Sequence, residues 1–141
     1  MKAFSFNIFF TILLGLSLIF TGCGKGSTPA PAPTPVPEAA LAFTTNPDPG
    51  TSIYTVVGAT QDLIISISSK LPDAGVTASI NVTKDLDGSA VFSQSLTSTV
   101  ASFTSTIQNL QSGVICTATI NLTSKSTATN KASKSFKLAR K

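Results

Sequence analysis

From residue 41 onward, apolar and polar residues alternate with a period of two, the pattern of strands with one face packed and the other wet. Residues 76–83 show it most cleanly, with Val76, Ala78, Ile80 and Val82 on one face and Thr77, Ser79, Asn81 and Thr83 on the other. The same spacing puts Leu63, Ile65 and Ile67 in one row and Val114, Cys116, Ala118, Ile120 and Leu122 in another. Ala90, Phe92 and Leu96 share a parity that Gln94 breaks, and Ala101, Phe103 and Ile107 form the next inward set. Residues 41–45 read as a short first strand and 52–57 as a second, at an edge. Residues 131–139 read as the last strand, burying Phe136 and Leu138. Turn-forming clusters interrupt these runs at 46–50, 72–75 and 85–88. No stretch after residue 40 has helical periodicity. Short strands about ten residues apart predict an all-β fold, an antiparallel sandwich of about seven strands.

A different pattern opens the chain. Residues 8–20 are apolar except for Thr11, Gly15 and Ser17, with Lys2 before them and small residues after. Such a run is the length of a secretory signal's apolar region and falls short of the roughly 20 residues a membrane-spanning helix needs. Thr21, Gly22 and Cys23 close it. Ending in this way, the segment resembles the signal peptides of bacterial lipoproteins, although Phe20 stands where an aliphatic residue is usual. The resemblance implies removal of residues 1–22, lipidation of Cys23 and attachment to a membrane, with Gly24 favouring an outer membrane. Each buried methylene contributes about 0.8 kcal/mol and stable attachment takes at least two lipid signals, a condition that a multiply acylated Cys23 meets. The alternative is an ordinary secreted protein in which Cys23 follows the signal by chance.

Residues 23–40 carry Pro29, Pro31, Pro33, Pro35 and Pro37 at every second position. Such a run favours an extended polyproline helix of about 3.1 Å per residue, so that some 17 residues reach roughly 50 Å. A stalk and a flexible linker are both consistent with it. The expected organisation is therefore signal 1–22, anchor and linker 23–40, sandwich 41–139 and a basic tail at 140–141.

Leu110, Ser112, Gly113 and Cys116 follow one another with the spacing of the segment that enters strand F in fibronectin type III and related immunoglobulin-like domains. The sandwich is similar to that family in this segment. Ser112 replaces the usual proline and Cys116 the usual tyrosine, so the hydroxyl bond of a tyrosine corner is lost. The resemblance implies an immunoglobulin-like fold and transfers no functional residue.

Composition narrows the chemistry. The chain has no histidine, which removes the commonest general base and metal ligand near neutral pH. With Cys23 committed to lipid, Cys116 is the one remaining thiol, and it falls on a core row. The acids Asp48, Asp73, Asp85 and Asp87 fall in turns and Asp62 at a strand start, where solvated turn-formers are expected. Asp85 and Asp87 offer too few oxygens for a calcium loop. No catalysis, cofactor or metal is expected.

From residue 41 to the end there are 16 serines and 16 threonines in 101 residues, so the wet faces are rich in hydroxyls. Aromatic anchors for a sugar or base are scarce, with no Trp and one Tyr. Residues 41–124 carry two bases against five acids, a net of −3, whereas 125–141 carry six bases and no acid. The basic end reads as lysines protecting an edge strand or as a solvated tail, ahead of a patch for nucleic acid or anionic envelope polymers. No nucleic-acid partner is expected. The expected function is a non-catalytic cell-envelope lipoprotein making structural or adhesive contacts with an envelope polymer or protein, the alternative being capture of a glycan or peptide.

Overall fold

A computed structural model describes residues 36–141. The signal, Cys23 and most of the proline run lie outside the described residues. The rest forms eight strands and, among the described residues, no helix: β1 (Phe43–Asn46), β2 (Ile53–Val56), β3 (Gln61–Ile67), β4 (Val76–Lys84), β5 (Ala90–Ser98), β6 (Ser102–Ile107), β7 (Ile115–Ser124) and β8 (Lys131–Arg140).

They build a sandwich of a three-stranded sheet, β1-β3-β6, and a five-stranded sheet, β2-β8-β7-β4-β5. Only β4–β5 and β7–β8 are hairpins within one sheet; elsewhere the chain crosses between sheets at every connection. Pairing is antiparallel as expected with one exception. β2 lies parallel to β8, Ile53 opposite Lys137 and Val56 opposite Arg140. The first strand of the sandwich is thus divided, β1 serving one sheet and β2 the other, with Pro47 and Pro49 in the connection.

The predicted rows form the core. Leu63, Ile65, Val76, Ala78, Ile80, Val82, Ile107, Ala118, Ile120, Leu122 and Leu138 are fully buried, and Cys116 and Phe136 nearly so. Central strands β4 and β7 alternate most strictly because each has a paired neighbour on both sides and the opposite sheet above it. The β5 row departs from expectation: beyond a bulge Ala90 stands opposite outward-facing Thr83 and is exposed, while Phe92 and Leu96 keep core parity but are only half-buried. A five-stranded sheet is wider than the three-stranded one facing it, and β5 overhangs at the edge. Gln94 also finds its explanation there. It has core parity, and its Oε1 accepts a hydrogen bond from Ser105 Oγ of β6 at 2.5 Å, closing the open flank with a polar contact. Ala101 is exposed and precedes β6, outside the inward set assigned to it.

Two domain boundaries shift. Arg140, assigned to a basic tail, ends β8 and pairs with Val56. Glu38, assigned to the linker, is hydrogen-bonded to the sandwich at its Oε1 and Oε2.

The corner entering β7 is held without a tyrosine. Leu110 is buried and its N–H donates to the Ala59 carbonyl at 3.0 Å. Arg140 Nη1 donates to the Leu110 carbonyl at 3.1 Å, and the Arg140 carbonyl accepts from Gly113 N–H at 2.9 Å. A side chain from the last strand therefore supplies the tie that a tyrosine hydroxyl supplies in the family the segment resembles.

Candidate interaction surfaces

The outward face of the five-stranded sheet is a grid of short polar side chains. Across the strands, Ser95, Ser79, Asn121 and Ser133 stand in one row, and Ser93, Asn81, Thr119 and Ser135 in the next. Neighbouring strands lie about 4.8 Å apart and alternate residues along a strand about 6.8 Å. Part of this hydrogen-bonding capacity is used internally: Ser93 Oγ donates to Asn81 Oδ1 at 2.7 Å, and Asn81 Nδ2 donates to Ser79 Oγ at 3.2 Å. The grid grows from alternation itself, since Thr favours strands and Ser gives a hydroxyl without apolar bulk.

Four of the five acids between residues 41 and 124 hold a structural bond, Asp73 being the exception. Asp85 accepts from Thr117 Oγ1 at 2.6 Å and pairs with Lys137 at 2.8 Å. Asp87 accepts from Ser89 N–H at 2.9 Å, a local turn bond. The two carboxylates of the β4–β5 turn therefore go to different partners and do not converge. Asp48, in the β1–β2 connection, pairs with Lys134 of β8. Asp62 accepts from Thr106 Oγ1 at 2.7 Å.

Lys134 explains part of the basic end. Residues 131–136 of β8 lie beyond the reach of β2, which pairs only from Lys137 onward. That half of β8 is an open edge, and Lys131 and Lys134 line it, with Lys137 at its boundary. Lys134 shares the core-side parity of Phe136 and Leu138, so a neutral strand docking here would have to displace a half-exposed ammonium and its Asp48 partner. The placement favours the edge-protecting reading over a tail or a polyanion patch.

The clasp on Glu38 has no local sequence signature. Ser124 Oγ donates to Glu38 Oε1 at 2.8 Å and Asn130 Nδ2 to Oε2 at 3.0 Å. Asn130 also donates to the Ala39 carbonyl and accepts from Leu41 N–H, both at 2.8 Å. The β7–β8 loop thus grips the chain where it leaves the proline run. A groove of about 530 Å³ lies beside this clasp, lined by Glu38, Lys70, Leu71, Asp73 and Thr127 among others.

These bonds set an acid response. Hydrogen bonds from Asn130, Ser124 and Thr127 hold the Glu38 carboxyl below its ordinary range, and Lys137 with Thr117 does the same for Asp85. Lys134 lowers Asp48 likewise. A carboxyl more acidic in the folded chain than in the unfolded one stabilises the fold above about pH 4 and ceases to do so as pH falls through its folded value. The melting temperature should therefore hold between pH 7 and about pH 5 and fall below about pH 4. Asp85→Asn should make that acid fall shallower. Because these pairs are solvent-exposed the effect is modest. A melting temperature level down to pH 2 would show that the pairs contribute nothing.

Cys116 is 1% exposed. Burial, reinforced by the nearby Asp85 charge, pushes its thiol above the ordinary range, making it a small core hydrophobe with little thiolate character. Cys23 lies outside the described residues.

The fold and these surfaces define an all-β sandwich domain. No family model matches the sequence, and no curated protein matches it.

Proposed function

We propose that the chain is a non-catalytic cell-envelope lipoprotein, anchored through Cys23, that presents one immunoglobulin-like β-sandwich for structural or adhesive contacts. The observation that carries this reading is the order of parts. An apolar run closes on Thr21, Gly22 and Cys23, prolines alternate through residue 37, and Glu38 directly after them is hydrogen-bonded to the sandwich. Along the sequence the proposed anchor, the proline run and the sandwich follow in that order. Alternation of the chain between sheets, with β4–β5 and β7–β8 as the hairpins, supports the immunoglobulin-like assignment. The hydroxyl grid, poor in aromatic anchors, suits broad weak contact with a polymer or a neighbouring protein.

Cys23→Ser tests the anchor. In a two-membrane bacterium the parent chain is expected in the outer-membrane fraction, and the variant in the soluble fraction or as unprocessed precursor. A variant still processed and membrane-bound overturns the reading. Protease added to intact cells then separates a surface position, where the domain is cut, from a periplasmic one, where it is protected until lysis.

The groove beside Glu38 favours a second reading, capture of a glycan or an extended peptide. It brings Lys70 and Asp73 together with apolar Leu71. Saturable sub-millimolar binding in a screen of glycans and envelope peptides against the full chain would support it over purely structural contact.

A further inference from the structure

The two flanks of the sandwich differ in how they treat their open edges. On one flank, β8 carries Lys131, Lys134 and Lys137, and the β1–β2 connection carries Pro47, Asp48 and Pro49. On the other, β5 ends the five-stranded sheet and β6 ends the three-stranded one. Between Asp87 and Lys125 the chain has no charged residue, so neither edge strand bears a charge, and neither contains proline. β5 is nine residues long, and its one register shift against β4 lies near Ala90, leaving 92–98 regular. From Phe92 to Ser98 the edge has neither charge nor proline nor bulge, and so lacks the usual devices against backbone pairing there.

The sequence of β5 also specifies its complement. Over its regular part it is nearly symmetric about Gln94: Ser93 and Ser95 flank it, then Phe92 and Leu96. A two-fold interface requires that residue i meet j while j meets i. An antiparallel pair of β5 strands with its dyad at Gln94 places Phe92 opposite Leu96 twice on the core-parity side and Ser93 opposite Ser95 twice on the outer side. Cross-strand pairs of this apolar and hydroxyl kind are favourable. At the centre, Gln94 already uses Oε1 to accept from Ser105, which leaves the amide nitrogen to donate across the dyad. The neutral edge brings no like charges together, although the whole chain carries +4.

We propose that β5 pairs antiparallel with β5 of a second copy of this chain, about a dyad at Gln94, joining two five-stranded sheets into one. The pairing depends on the fold alone and not on the lipid anchor. Its strength follows from its size. About that dyad the stretch regular in both copies is residues 92–96, about 17 Å of strand, and a pair of this length falls well below the roughly 1,000 Å² of a stable specific interface. It is therefore weak in dilute solution and has to be trapped.

The test uses the purified full-length chain in detergent under mild oxidation. Gln94→Cys is expected to give a disulfide-linked band of twice the monomer mass, absent from the parent chain and from Ser133→Cys on the opposite side of the sheet. A mixture of Ser93→Cys and Ser95→Cys chains is expected to cross-link better than either alone. Gln94→Lys, with the parent's circular dichroism and melting temperature, is expected to abolish dimer captured by a lysine-independent photo-crosslinker at Ser95. Equal cross-linking of Ser133→Cys and Gln94→Cys, or none at Gln94→Cys up to millimolar chain, overturns the proposal. A peptide from another protein recovered on Gln94→Cys in place of a second copy also overturns it. Since Cys23→Ser reports on the anchor and Gln94→Cys on the edge, either reading fails without the other.

Discussion

Ile80→Ala is expected to destabilise the sandwich by about 2 to 5 kcal/mol, the range for truncating a fully buried aliphatic side chain where the surroundings collapse only partly. Ile80 lies at the middle of β4, fully buried, with Gln94 beside it on one neighbour and Ile120 on the other. β7 is held from its far side by β8, which limits relaxation into the space left. Urea unfolding of parent and variant, compared at equal slope, measures the difference. A loss under about 0.5 kcal/mol would mean that Ile80 is not in the core.

Gly75→Ala is expected to cost about 2 to 5 kcal/mol, from two separable sources. Gly75 has φ +79°, a region where a Cβ costs roughly 1–2 kcal/mol. It is also crowded, since a Cβ there would lie 2.3 Å from the Ser98 carbonyl oxygen and 3.1 Å from its carbon. These are backbone atoms at the end of β5 and cannot rotate aside. Retreat of Gly75 itself is opposed by its bonds, N–H to the Pro72 carbonyl at 2.8 Å and carbonyl to Lys125 N–H at 3.0 Å. Gly88 is the internal comparison. Its φ is +70°, yet nothing lies within 4 Å of the corresponding Cβ. Gly88→Ala should therefore show only the conformational part, about 1–2 kcal/mol. Equal losses for the two variants would show that the approach of Ser98 does not matter.

The sandwich was legible where alternation is enforced from both sides. The inward row of β4 and that of β7 from Cys116 to Leu122 are buried as read, because central strands have one packed face and one wet face along most of their length. Phe136 and Leu138 followed for the same reason. The half-exposure of β5 was not legible, since parity tells which face a residue takes and says nothing of whether the opposite sheet extends far enough to cover it. Nor was the parallel pairing of β2, a four-residue strand whose composition carries no direction. The role of Glu38 has no local signature, because it ends a proline run while its partners, Ser124 and Asn130, lie 86 and 92 residues away. Arg140 looked like tail charge for the same reason: its target, the Leu110 carbonyl, is 30 residues distant and is a backbone group with no sequence signature.

The divided first strand has a mechanical meaning. Tension entering at Glu38 runs along β1 and β2 in the direction of their axes. β2 lies parallel to β8, with Ile53 to Val56 aligned on Lys137 to Arg140. A pull between residue 38 and residue 141 therefore shears those register positions together instead of peeling them one at a time. The same pull shears β1 against β3 in the other sheet. A domain tethered through its amino-terminal end and gripped farther along the chain would resist drag as a lap joint does, by the sum of its bonds.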